Sequence, residues 1–108
     1  TVGHDSHNII VFGDKDSDML LAVEELKRIK CGYTVISNGK VIESLPLIFG
    51  GLMSVLPTDE FISQLDKTIS AARNLGVNKN IDPFITLSFM ALPVIPEIRI
   101  TDIGMVEV

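Results

Sequence analysis

The sequence predicts an α+β domain, a mixed and largely antiparallel sheet with two packed helices. Three observations carry the prediction. Apolar residues recur at helical spacing in two separate segments, Asn38-Gly39 lies between two β-rich runs, and Asp102 to Gly104 joins "EIRIT" to "MVEV" near the C-terminus. Strands joined by tight turns are antiparallel, whereas the helical crossovers after residues 13 and 76 permit other pairings. An α/β arrangement is the nearest alternative.

The elements follow in the order β-α-β-β-α-β-β-β. "NIIVFG", residues 8–13, is a short β-branched run closed by Gly13, the pattern of a strand buried on both faces. In the next segment Met19, Ala22, Val23, Leu26 and Ile29 recur at helical spacing, with Asp16 or Ser17 as the cap and Gly32 after the end. "YTVISNGKVIESLPL" then reads as a hairpin, because Asn-Gly favours a two-residue type I′ turn. In that register Val35 faces Ile42 and Ile36 faces Val41, so both faces near the turn are apolar and the sheet is expected to be covered on both sides. Beyond the loop "PLIFGGLMSVLP", Thr58 caps a second helix with Asp59 and Glu60 in its first turn. Its expected buried stripe is Phe61, Ile62, Leu65, Ile69 and Ala72, and Gly76 ends it. "PFITLSFMAL", residues 83–92, reads as a long apolar strand, followed by the rigid "PVIPE" corner and the last hairpin.

Composition bounds the function. The chain has 108 residues, 46% apolar and 21% charged, and is expected to form one domain over 1–108 around a single core. Nine Lys and Arg against fourteen Asp and Glu give a formal charge of -5, and the one basic cluster, Lys27, Arg28 and Lys30, falls where a helix ends and complements its dipole. With one Tyr, five Phe and no Trp, there is no basic and aromatic surface for stacking bases, so nucleic acid is not an expected partner. A single cysteine, Cys31, excludes an internal disulfide and predicts a cytoplasmic setting. No run approaches the roughly 18 apolar residues of a membrane span, so no membrane partner is expected. The absence of both an initiator Met and a signal-peptide pattern at "TVGHDS" predicts a piece of a longer protein.

The densest chemistry is "HDSHN": His4, Asp5, Ser6, His7 and Asn8, which contains both histidines of the chain. Two imidazoles beside a carboxylate suit a metal such as zinc, iron or manganese, and also acid, base or orienting roles. A complete metal site needs about three or four ligands, however, and no further histidine exists. A Ser, His and Asp triad fits in composition only, since no GxSxG elbow surrounds Ser6. The plainer alternatives are a polar loop capping backbone groups before the strand, or a site completed by another domain. "DKDSD", residues 14–18, opens like a calcium loop but has Met19 where that loop needs glycine, so an acid-rich helix N-terminus accounts for it better. "GGLMS", residues 50–54, forms neither a P-loop nor a GxGxxG and reads as a turn. Cys31 reads as a small buried thiol.

Taken together, "TVGHDSHNIIVFG", "GGLMS" and "PFITLSFMALPVIPEIRITDIGMVEV" resemble the C-terminal domain of the microbial adenine deaminases, over essentially the whole chain. The resemblance implies an amidohydrolase that converts adenine and water to hypoxanthine and ammonia, with manganese or iron held in a (β/α)8 barrel. This chain lacks that barrel's His-x-His and the later metal ligands, so no cofactor is expected in it and the chain alone is expected to be inactive. The barrel domain of the same protein is then its expected partner and adenine the substrate of the whole enzyme. In that setting His4, Asp5, Ser6, His7 and Asn8 would help to complete the active site, since five consecutive groups that all need hydrogen bonds suit packing poorly. A structural or oligomerisation domain is the alternative, favoured by the apolar loop from Leu45 to Leu56, and a homo-oligomer would follow from it.

Overall fold

The computed structural model describes residues 8–90, 92 and 94–107. Within them the order is α1 (Asp16–Arg28), β1 (Gly32–Ser37), β2 (Lys40–Pro46), α2 (Thr58–Asn74), α3 (Pro83–Phe89), β3 (Ile98–Thr101) and β4 (Gly104–Glu107). Three helices and two antiparallel hairpins make the α+β class that the sequence predicts, but as two separate two-stranded sheets rather than one mixed sheet.

The β1–β2 hairpin is the centre of the structure. Asn38 and Gly39 take φ of 51° and 75°, the two positive values of a type I′ turn, and Ser37 pairs with Lys40 across it. The tip is fastened to α1: Gly39 N–H donates to Asp18 Oδ1 at 2.8 Å, and Lys15 Nζ donates to Asn38 Oδ1 at 3.2 Å. Ile36 faces Val41 as expected, but the register shifts beyond that pair and Val35 faces Glu43 instead of Ile42. The irregularity leaves Ile42 unpaired and exposed, while Val35 stays in the core.

Helices cover the two faces of this hairpin. On one face, Thr34 and Ser44 share a 2.9 Å hydrogen bond and Ser44 Oγ reaches Glu25 of α1. On the other, Val35 packs with Ala71 and Ala72 of α2, with Val77 and Phe84 around them. Tyr33 stacks on Phe84 with ring centroids 4.4 Å apart, which seats α3 on the α2 side. Leu45, fully buried, anchors β2 in this layer.

The helices bury small residues where they meet the sheet. In α1, Ala22, Leu26 and Ile29 are buried and Met19 and Val23 half-buried, as the helical spacing predicts. Its N-cap is Lys15, with no side-chain cap bond, so neither Asp16 nor Ser17 caps it; both lie inside the helix. Its end is made by Lys30 and Cys31 at positive φ, with Cys31 N–H donating to Leu26 O at 2.7 Å, one step before the expected Gly32. Gly32 instead opens β1, where a Cβ would overlap the Leu45 carbonyl oxygen. In α2 Ala72 is buried as expected, but the rest of the contact face is Thr68 and Ala71, whereas Ile62 is 51% exposed and Phe61, Leu65 and Ile69 are half-buried. The stripe is rotated because the helix lies close against β1–β2, and only short side chains fit there. Thr68 is accommodated by donating its hydroxyl to Gln64 O at 2.7 Å. Pro57 precedes α2 without a side-chain cap bond from Thr58, and Gly76 ends it at φ 106°.

Two segments expected as strands differ. Residues 83–89 are helical: Asp82 Oδ1 accepts from the N–H groups of Phe84 and Ile85 at 3.0 and 2.9 Å, and Pro83 takes the first helical position. The Asp-Pro start outweighs the β-rich composition of the run. Residues 8–13 form no strand, and Phe12 is 79% exposed. A β-rich run becomes a strand only against a partner edge, and none pairs with it among the described residues. The last hairpin is as expected, with Ile100 opposite Met105 and Thr101 opposite Gly104.

Candidate functional site

Of the five residues singled out in the sequence, His4, Asp5, Ser6 and His7 lie outside the described residues. Asn8 lies inside them, exposed and outside any helix or strand.

The polar groups that the described fold does bring together form a line across β1–β2. Glu25 projects from the buried face of α1 and accepts from Arg28 Nε at 2.8 Å, Arg28 Nη2 at 2.6 Å and Ser44 Oγ at 3.1 Å. The hydrogen bonds from Arg28 hold the Glu25 carboxyl below the usual glutamate range against the opposing effect of burial, and Ser44 adds to the lowering. The same pair raises the Arg28 guanidinium. From α2, Gln64 Nε2 donates to Glu43 Oε2 at 3.0 Å and to the Ser44 carbonyl at 2.9 Å. Glu25 therefore has its acceptor sites engaged by a guanidinium and a hydroxyl, which is the chemistry of a fastening between α1 and β2. Sequence reasoning missed this residue, although its place three after Ala22 and four before Ile29 puts it inside the apolar stripe of α1.

A small cavity of about 240 Å³ opens beside the stacked rings of Tyr33 and Phe84, walled by Leu47, Leu52, Leu65 and Ile85. Burial, and secondarily the Asp82 carboxylate, pushes the Tyr33 hydroxyl up from its ordinary value. Asp82 is already engaged by two N–H donors of α3. A second, open groove between β1–β2 and α2 gathers Glu43, Asp66 and Lys67 with Ser63 and Ser70.

Among the described residues, no group of three or more His, Cys, Asp and Glu side chains comes together to hold a metal ion, and no buried side-chain polar atom lacks a partner. A resident metal therefore has no ligand set in the described part of this chain. In the "DKDSD" run Asp16, Ser17 and Asp18 form the first turn of α1, and Asp18 also accepts from Gly39 N–H, in keeping with an acid-rich helix start. The paired glycines of "GGLMS" take φ of 62° and 74° in a tight turn, closed by Leu52 N–H to Phe49 O at 3.0 Å and followed by the Phe49 to Met53 bridge. That turn displays Phe49, Met53 and Val55 to solvent while Leu47 is buried beneath it. Cys31 is half-buried. No helix among the described residues is long and apolar enough to cross a membrane.

Comparison with known proteins adds what the described geometry lacks. The adenine deaminase C-terminal domain family matches residues 1–108. "Adenine deaminase 2" of Carboxydothermus hydrogenoformans is 54% identical over 108 residues, which is 100% of this chain and 19% of that protein. "Adenine deaminase" of Clostridium acetobutylicum is 53% identical over 109 residues, with 100% and 19% covered, and that of Halalkalibacterium halodurans 49% over 108 residues, with 100% and 18%. The chain thus spans about a fifth of the length of the curated relatives it matches. No solved structure matches it.

Proposed function

The chain belongs to the adenine deaminase C-terminal domain family, and from that membership we propose that it works as the C-terminal part of a cytoplasmic purine-catabolic hydrolase, one that converts adenine and water to hypoxanthine and ammonia. The observation that carries this proposal is the match along all 108 residues to proteins named adenine deaminase. Their fivefold greater length leaves room for a catalytic domain beyond this chain. We place the manganese or iron of such an enzyme in that remaining portion, since a complete metal site takes about three or four ligands and this sequence holds only two histidines. When bound there, the metal supplies activation of the attacking water.

The contribution proposed for this chain is the run His4, Asp5, Ser6, His7 and Asn8. Hydrolytic deamination moves a proton from water to a departing amine, and an imidazole can carry a proton near neutral pH. Both imidazoles of the chain lie in that run. His4→Ala and His7→Ala in the full-length protein are expected to lower kcat by about 10²- to 10⁴-fold with folding intact. Unchanged turnover in both variants would remove the run from the reaction.

A second role, assembly without direct participation in the chemistry, is favoured by the exposed Phe49, Met53 and Val55. Light scattering on the full-length protein separates the two. Oligomers that dissociate on Phe49→Ser, with the histidine variants still active, support assembly alone.

A further inference from the structure

Among the described elements, the β3–β4 hairpin has little packed against it. Its two strands pack essentially on each other, whereas β1–β2 is embraced by α1 and α2. A two-stranded ribbon in water is marginal without something against one of its faces. The pairing fixes what those faces carry. Arg99 opposes Val106, both half-buried, and Arg99 is tied back by Nε to Leu92 O at 3.1 Å and by Nη2 to Pro96 O at 3.0 Å. The opposite face carries Ile98, Ile100 and Met105, with Ile100 directly across from Met105. Ile100 is 85% exposed and Met105 73%, and Ile103 at the tip is 86% exposed.

Charge around this face narrows what can cover it. Glu107 lies on this face opposite Ile98, Asp102 sits in the turn and Glu97 precedes β3, while the only cation between residues 97 and 107 is Arg99, held on the other side. Two copies placed face to face would bring these carboxylates together, which costs affinity. A complementary surface is apolar at its centre with Lys or Arg at its rim. The family's members carry about four-fifths of their length outside the matched segment, so a covalently attached surface is at hand.

We infer that the Ile98, Ile100 and Met105 face of β3–β4 docks onto the remaining portion of the longer polypeptide, on an apolar patch rimmed by basic residues. The inference rests on this chain being part of an adenine deaminase.

The test is peroxide oxidation of Met105 in the native full-length protein, read by mass spectrometry against the urea-denatured protein. Docking is expected to slow sulfoxide formation at Met105 by about ten-fold or more. It is also expected to hold on dilution to the monomer, and to be lost in Ile100→Asp. Oxidation of the native wild type at the denatured rate overturns the inference. So does protection that disappears on dilution to the monomer, which assigns the cover to a second copy. Adenine deamination by the same preparation separates the two proposals. Activity with a freely oxidised Met105 refutes the docking face alone, and protection without activity refutes the functional proposal and leaves the face standing.

Discussion

Replacing Leu45 by Ala tests the central layer of the fold. Leu45 has no solvent exposure, lying opposite Tyr33 in the β1–β2 hairpin. The change removes three carbons, each about 0.8 kcal/mol of transfer free energy, or roughly 2.4 kcal/mol. The incompletely collapsed cavity raises the total to about 3 to 5 kcal/mol. A domain of this size has only about 5 to 15 kcal/mol of stability, so much of it is at stake. Urea unfolding of the chain, followed by far-UV circular dichroism, is expected to lose about 1 to 3 M from its midpoint with little change in slope. Ile62→Ala is the control. The helical pattern places Ile62 in the buried stripe of α2, whereas the structure leaves it half exposed, so its loss is expected to cost no more than about 1 kcal/mol. A Leu45→Ala cost below about 1 kcal/mol, or an Ile62→Ala cost equal to it, would refute this account of the core.

Other consequences are equally direct. Asp82→Ala is expected to destabilise α3 by about 0.5 to 2 kcal/mol, read as a lower thermal midpoint, while Asp82→Asn keeps most of the cap. Gly32→Ala is expected to be far more damaging than Gly39→Ala, measured as soluble yield and unfolding midpoint. Both glycines have positive φ, but only at Gly32 does a Cβ meet backbone. Glu25 is held below the ordinary carboxyl range, so its contribution is present above the unfolded-state value of about 4.3 and is lost as pH falls through the lowered folded value. Glu25→Gln is therefore expected to flatten the acid limb of the stability profile, and an unchanged limb would show that other carboxylates control it.

The parts of the fold that could be read in the sequence are those whose cause is local. Asn38-Gly39 dictates a type I′ turn because few other residue pairs tolerate two successive positive φ values, and the turn is where the dipeptide puts it. The apolar period of α1 likewise names its buried apolar residues, Ala22 and Leu26, with Ile29 just beyond its end. Family membership was legible too, because several separated motifs of one family occur in order along the chain.

Tertiary structure decided the rest. Residues 83–92 are apolar and β-rich, yet whether such a run is a strand depends on an available partner edge, and here a capped helix over Pro83–Phe89 stacks Phe84 on Tyr33 instead. Which side of α2 is buried depended on how close the helix approaches the hairpin, a distance that no residue of α2 encodes by itself. The place of Glu25 within the apolar stripe of α1 could be read from its spacing, but its partner across the fold could not, since Ser44 reaches it only once β2 packs against α1. The one-residue shift between Ile36 and Val35 turns Ile42 outward for the same reason: pairing register is settled by what packs on each face, and that is a property of the assembled fold rather than of the strand.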